Sequence, residues 1–177
     1  IGSLVVGVAT AKALAFATGK PLYAVNHLHG RLFAAFLDTG AEPPYPFLAL
    51  LVSGGHSQLV EVESARELRV IAKTRDDAAG EAFDKTARLL DLPFPGGPAL
   101  EALARDGDPK AVAFPRYRPE PGTLDLSFSG LKTSARYFLA SDAARNVTRA
   151  DVAASFQAAV VDVLVDRVER ALAARGY

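Results

Sequence analysis

The stretch that most constrains the fold is an apolar run that ends in two glycines. Residues 46–52 are almost wholly apolar, which is typical of a buried strand, and residues 58–63 alternate as a second strand would. Gly54 and Gly55 stand between them and predict a tight hairpin, because glycine accepts positive φ without steric cost. A bend without side chains also lets backbone N–H groups approach an anion, and Ser53 adds a hydroxyl. The stretch is therefore either a plain hairpin or a phosphate-binding loop.

Composition narrows the class of protein. The chain has 177 residues, half of them hydrophobic, which is enough for one large domain or parts of two. It has no cysteine, which fits a reducing compartment, and no net charge, so a nucleic-acid partner needs a local basic patch or another subunit. The apolar segment 3–18 is interrupted by Lys12 and is too short for a membrane span. We expect a buried helix there, and a cytoplasmic protein with no membrane partner.

Two prolines, Pro43 and Pro44, predict a boundary between two parts of the chain. The pattern before this boundary predicts two helices and a short strand. These elements are a helix at 3–18 with Ser3 as N-cap and Gly19 as its stop, a strand at 22–25, and a helix at 26–37.

Beyond the boundary the pattern predicts an antiparallel meander followed by helices. The strands are expected at 46–52, 58–63 and 68–74, and helices at 78–90, from Pro98 onward, and after a capping box at Thr148 to Asp151. We expect Asp76 or Asp77 to cap the helix at 78–90, and Glu81 to pair with Lys85 one turn later. An irregular excursion is predicted at 106–122, and a loop or edge strand at 124–132.

The last helix is predicted to be amphipathic. Its apolar side would comprise Val160, Val161, Leu164, Val165, Val168 and Leu172. Its solvated side would comprise Asp162, Asp166, Arg167, Glu169 and Arg170. Earlier, Gly96 and Gly97 precede the helix that contains Pro98, where they form either a plain connector or an anion site at a helix N-terminus.

Five short motifs occur in one order and are together far more specific than any one alone. They are LVSGGH at 51–56, DDAAGEAFDK at 76–85, FPGGP at 94–98, FSGLKT at 128–133 and AASFQ at 153–157. In this combination the whole chain resembles the TsaD family, the tRNA N6-adenosine threonylcarbamoyltransferases, in its bacterial form. The resemblance also implies an internal piece of a longer protein.

The resemblance implies an α/β chain with the actin/Hsp70-like (ASKHA) ATPase fold, in which two lobes close on a nucleotide. Residues 1–43 would be the C-terminal part of the first lobe, and residues 44–177 the N-terminal part of an incomplete second lobe. The implied reaction transfers the threonylcarbamoyl group of threonylcarbamoyl-adenylate to the N6 amine of the adenosine beside the tRNA anticodon. Implied partners are the adenylate or an ATP-type nucleotide, tRNA, and the proteins TsaB and TsaE. We expect no turnover from this piece alone.

Site residues follow from the resemblance only where the motifs match. Leu51, Val52, Ser53, Gly54 and Gly55 would bind the phosphate and acyl part of the adenylate. Asp84, Gly97 and Glu101 would hold its ribose and adenine side. This assignment is chemically reasonable, because carboxylates accept hydrogen bonds from sugar hydroxyls and glycine lets a base or phosphate lie against backbone.

The sequence departs from the family at its metal site. The family carries one divalent metal, iron or zinc, on two histidines spaced four residues apart and a later aspartate. Here His27 is present but Arg31 holds the second position, and arginine only donates hydrogen bonds. His29 is no substitute, because two residues are more than half of a 3.6-residue turn. A metal is therefore doubtful in this chain.

Other functions stay open at this point. One is a non-catalytic partner subunit like TsaB, which shares the fold and lacks the metal histidines; the intact Ser53, Asp84 and Gly97 argue against it. Another is a small-molecule kinase of the same superfold. A metalloprotease has little support, because no His-Glu-x-x-His motif occurs.

Overall fold

A computed structural model describes residues 2–175 of the chain. Ile1, Gly176 and Tyr177, which stand at the outer ends of the two predicted lobe segments, lie outside the described residues. The chain divides into two compact units, Ile1–Pro43 and Pro44–Tyr177.

The first unit is helical. It contains α1 (Gly2–Thr18) and α2 (His27–Ala34). Gly19 follows α1 with φ 63°, as its predicted role as the stop requires. Three predictions were wrong in detail: Ser3 lies inside α1 and is not its N-cap, residues 22–25 form no strand, and α2 is shorter than 26–37. Asn26 caps α2, because its Oδ1 accepts the N–H of Leu28 at 2.9 Å.

The prediction that α1 is buried was also wrong. None of the described residues of α1 is buried, and the side chains of Leu4, Val5 and Phe16 are largely exposed, Phe16 at 92%. An apolar helix is stabilised when its side chains are removed from water, but burial also requires a surface on which the helix can pack. No described residue of the first unit provides that surface.

The second unit begins with a three-stranded sheet. Strands β1 (Phe47–Val52), β2 (Ser57–Ser64) and β3 (Glu67–Lys73) run antiparallel in the order β1-β2-β3. The predicted meander is confirmed. Its register pairs Val52 with Ser57, so the connection between β1 and β2 lies at one end of the strands.

Helices complete the second unit. They are α3 (Ala79–Leu89), α4 (Gly96–Ala104), α5 (Ser129–Leu139), a 3₁₀ turn (Asp142–Asn146) and α6 (Arg149–Arg175). The capping box before α6 is confirmed, because Thr148 Oγ1 accepts the N–H of Asp151 at 3.1 Å. Pro98 is the third residue of α4 and not the first. The loop predicted at 124–132 was wrong from Ser129 onward, where α5 begins.

Helix α6 carries much of the core, where Phe156 meets Phe83 and Phe114 edge-on. Its predicted faces were partly wrong. Val161 and Val165 are each 47% exposed, whereas Arg167, expected in solvent, is 1% exposed. The guanidinium of Arg167 is buried because it donates to the carbonyl oxygens of residues 125 and 117, at 3.2 and 2.6 Å.

The membrane question has a direct answer for residues 2–175. No helix in that range combines the length and the apolar character that a membrane crossing needs.

Candidate functional site

The bend after β1 is a closed four-residue connection, Ser53 to His56. The N–H of Ser53 donates to the carbonyl of His56 at 2.7 Å, and Ser53 Oγ accepts the N–H of His56 at 3.1 Å. The predicted hairpin is confirmed, but neither Gly54 nor Gly55 has the positive φ expected of a two-residue turn. Four residues spread the chain reversal and remove the need for a left-handed residue.

The tip of the bend presents bare backbone. The amide groups of Gly54 and Gly55 donate to no acceptor within residues 2–175. A Cβ built on either glycine would meet nothing within 4 Å. Two neighbouring amides are therefore available to an anionic group, which is the arrangement expected of a phosphate-binding loop.

Gly80, at the start of α3, supports this bend from behind. Its N–H donates to the carbonyl of Ser53 at 3.3 Å. A Cβ on Gly80 would lie 2.8 Å from both that oxygen and the Cα of Gly54. Only glycine lets α3 approach the bend so closely. The motif at 76–85 contained Gly80, but sequence reasoning assigned it no role.

Asp84 determines where α4 begins. Its Oδ1 accepts the N–H of Gly96 at 2.8 Å, and a Cβ on Gly96 would lie 2.7 Å from the Cα of Asp84. Gly97 follows with open space around its Cα. The two helices are thus clamped together, and the N-terminus of α4, with its partial positive charge, faces an opening.

One cleft of about 510 Å³ joins these parts. Of the predicted site residues, Val52, Ser53, Gly54, Gly97 and Glu101 line it. The sequence motifs at 51–56 and 94–98, some 40 residues apart in the chain, therefore meet around one space.

Three predicted site residues do not line the cleft. Leu51 is only 8% exposed, within the sheet. Gly55 lies beside the lining residue Gly54, and Asp84 lies behind the start of α4. The second carboxylate oxygen of Asp84 makes no hydrogen bond with residues 2–175.

The structure adds residues that sequence reasoning missed. They line the same cleft from α3, α4 and α6: Ala79, Gly80, Phe83, Pro98, Gln157, Val160, Val161 and Leu164. The high exposure of Val161 is explained by this opening, since it forms part of an apolar wall with Phe83 and Leu164. The available signal was Gln157, a polar residue in the apolar AASFQ motif.

The electrostatic character of the cleft comes from dipoles more than from charges. Glu101 is the one ionisable residue among those that line it, and its side chain is 61% exposed. Arg105, one turn later, lies 3.8 Å away and pairs with it weakly. An anion in the cleft would therefore be held by amides and by the N-terminus of α4.

The acidic pair before α3 does not cap that helix, contrary to prediction. The N-cap Ala78 has no side-chain bond, and Asp76 instead caps α5. The Oδ1 of Asp76 accepts the N–H groups of Phe128 and Ser129, at 2.9 and 3.1 Å. Burial alone would raise the pKa of Asp76, but these bonds and those from the hydroxyls of Ser127 and Ser129 outweigh it and lower the pKa.

Asp77 joins α3 to α5 through two lysines. Its carboxylate lies 2.6 Å from Lys85 Nζ and 3.3 Å from Lys132 Nζ. Burial would raise the pKa of Asp77, but the two ammonium groups lower it. The predicted pair of Glu81 and Lys85 is also present, at 2.8 Å.

The predicted metal position lies on α2. His27 and Arg31 are one turn apart there, and a guanidinium cannot ligate a cation. Within residues 2–175 no three His, Cys, Asp or Glu side chains gather as a metal-binding group. Of the two family positions on this helix, His27 alone therefore carries a side chain that can ligate a cation.

The fold and the cleft together define a mixed α/β protein with an open cleft that is lined by glycine backbone and an apolar wall. The family model described as tRNA N6-adenosine threonylcarbamoyltransferase, TsaD, matches residues 1–177. The chain belongs to this family.

Curated relatives carry the same description. The chain is 55% identical to a tRNA N6-adenosine threonylcarbamoyltransferase of Moorella thermoacetica, with 100% of this chain and 52% of the relative covered. It is 53% identical to those of Desulfitobacterium hafniense (98% and 51% covered) and Brucella anthropi (97% and 48%). The chain thus spans about half the length of these relatives. A TsaB-like partner subunit is not favoured by these names.

Proposed function

We propose that the full-length protein containing this chain transfers a threonylcarbamoyl group from threonylcarbamoyl-adenylate to the N6 amine of the adenosine beside the tRNA anticodon. Family membership and the names of the relatives support this proposal. We further propose the ASKHA fold, with residues 1–43 in the first lobe and 44–177 in the second. A three-stranded sheet backed by helices is compatible with part of such a lobe.

The observation that carries the proposal is the pair of unengaged amides at Gly54 and Gly55 beside the N-terminus of α4. In our assignment they receive the adenylate phosphate, as in other anion sites at glycine bends and helix N-termini. Glu101 accepts hydrogen bonds from the ribose hydroxyls, and Phe83 and Val161 provide an apolar wall for the adenine.

This assignment gives the amides a part in the reaction. The N6 amine forms the new C–N bond with the carbamoyl carbon, the bond from that carbon to the phosphate oxygen breaks, and AMP leaves as one proton is released. Negative charge grows on the departing phosphate. Preorganised N–H donors at Gly54 and Gly55 stabilise that charge without reorganising, which lowers the barrier.

The metal, the protein partners and the compartment are part of the same proposal. Because Arg31 cannot ligate, we propose that position 31 contributes nothing to metal binding in the full-length protein. Full-length Arg31→His should then bind divalent iron or zinc more tightly; equal affinity would contradict this. TsaB and TsaE as partners, and a cytoplasmic location, stay predictions.

The test of the cleft uses full-length protein and titration with a non-hydrolysable adenylate. Gly54→Asp places a carboxylate where we put the phosphate, and should weaken binding at least tenfold, about 1.4 kcal/mol. Ala65→Asp is the matched control, because it adds the same charge at the other, β2–β3 bend of the same sheet. Equal binding by both variants would overturn the site. Failure of the wild-type protein, with its partner proteins, to modify tRNA would overturn the function.

A further inference from the structure

Helices α3 and α5 pack side by side and leave between them a second hollow of about 340 Å³. Lys85 and Arg88 line it from α3, and Lys132, Arg136 and Tyr137 line it from α5. We call this the basic hollow. The whole chain has no net charge, so four cations around one concavity are a local concentration of positive charge.

Two of these cations are compensated and two are not. Asp77 pairs with both lysines, and Glu81 pairs with Lys85. Arg88 and Arg136 make no ion pair with any other described residue, and both are exposed. The two lysines are held by their ion pairs with acidic side chains, while the two guanidinium groups remain available to a ligand.

The basic hollow is separate from the cleft of the proposed function. Ala79, Gly80 and Phe83 of α3 line the cleft, whereas Lys85 and Arg88 line the hollow. At about 100° per residue, these two sets fall on opposite sides of the helix. A helix with its side chains is about 10 Å across, so the body of α3 lies between the two sites and a polymer could contact both.

We propose that the basic hollow binds the phosphate backbone of RNA. Arg88 and Arg136 contact phosphates, since the guanidinium fork matches phosphate oxygens in two hydrogen bonds. Tyr137, which is 71% exposed, offers a ring on which an unpaired base stacks. An exposed aromatic ring beside two unpaired guanidinium groups favours RNA over an acidic protein segment, because RNA offers both phosphates and bases that stack. The identity of the RNA as tRNA rests on the proposed function.

The experiment measures tRNA binding by full-length protein at several salt concentrations. The double variant Arg88→Ala/Arg136→Ala should weaken binding on the order of tenfold, and should reduce the slope of log affinity against log salt by about 1.4 to 2, one phosphate contact for each lost cation. Arg66→Ala/Arg145→Ala removes the same charge from two exposed positions outside the hollow and should leave both quantities near wild type. Adenylate affinity, measured in parallel, should be unchanged in both.

A second pair of variants separates charge from stacking. Arg88→Lys/Arg136→Lys keeps the charge and should keep the salt slope, with a several-fold loss of affinity from the lost bidentate geometry. Tyr137→Leu should weaken binding of single-stranded RNA without changing the slope.

Several results would overturn the assignment. One is an unchanged affinity and slope in the double alanine variant while the wild type still modifies tRNA, which leaves the proposed function standing. Another is a double alanine variant that loses binding to polyglutamate but keeps its binding to RNA, which would assign the hollow to an acidic protein. If the wild type binds adenylate but no RNA at all, both the hollow and the proposed substrate fail.

Discussion

Helices α1 and α6 differ in burial, and the difference is the opposite of what their compositions predict. α1 has 17 residues, only one of them charged, and none of its described residues is buried. α6 has 27 residues with charges throughout, and ten are buried. The more apolar helix is the more exposed one. Burial therefore depends on what faces a helix as well as on what the helix is made of.

The partners of α6 explain the difference. It packs on α4 and α5, and the ring of Phe156 meets Phe83 and Phe114 at centroid distances of 5.5 and 6.3 Å. The described residues of the first unit provide α1 with no such surface. Matched substitutions in the two helices and their surroundings test this difference.

Phe156→Ala should lower the free energy of unfolding by about 3–5 kcal/mol, because it removes a fully buried ring and leaves a cavity. Phe16→Ala, in α1, should change it by less than about 0.5 kcal/mol, since that ring is already in water. Urea denaturation followed by circular dichroism measures both. Equal losses would mean that α1 is covered in solution.

Gly80→Ala should cost about 1–3 kcal/mol, because its Cβ would press on the backbone of Ser53 and Gly54. It should also weaken adenylate binding in the full-length protein by displacing the bend. Gly7→Ala adds the same methyl group to α1, where nothing lies within 4 Å, and should be neutral or stabilising. Denaturation and adenylate titration test the pair, and unimpaired binding by Gly80→Ala would remove the supporting role of α3.

Asp76→Ala should cost about 0.5–2 kcal/mol at neutral pH through loss of the α5 cap. The lowered pKa of Asp76 means that its carboxylate stabilises the fold above the unfolded-state pKa of about 3.9, and that this is lost as the pH falls through the folded value. The variant should therefore lose part of the acid-induced transition. Asn26→Ala removes the cap of α2 and should leave the acid transition unchanged, because the side-chain amide of Asn26 has no carboxyl group to protonate. The free energy of unfolding of both variants, measured between pH 2 and 7 at about every half pH unit, tests this difference.

Glu81→Ala should have the smallest effect, about 0.2–0.5 kcal/mol, because its pair with Lys85 is solvent-accessible. Lys12→Ala in α1 should cost nothing measurable, since Lys12 makes no ion pair within residues 2–175. Added salt should reduce the first difference and not the second. A loss at Lys12 equal to that at Glu81 would contradict the comparison.

Local patterns were sufficient for most elements of the second unit, α5 excepted. The meander, the helix after residue 78, and the capping box at Thr148 follow from alternation, helical spacing and side chains within a few residues of one another. The motif order was sufficient for the family. The same patterns missed α5, because its cap, Asp76, lies 53 residues upstream of Ser129.

The sequence alone was therefore enough to predict most helices and strands, the glycine bend and the family, since each depends on short patterns of residues that are close in the chain. Four facts became visible only in three dimensions: Gly80 supports the bend, Arg167 is buried, Asp84 holds the start of α4, and no described residue of α1 is buried. Each of these depends on groups brought together across many residues. Short-range patterns cannot specify such contacts, because the free energy of a contact depends on both residues and these residues are far apart in the sequence.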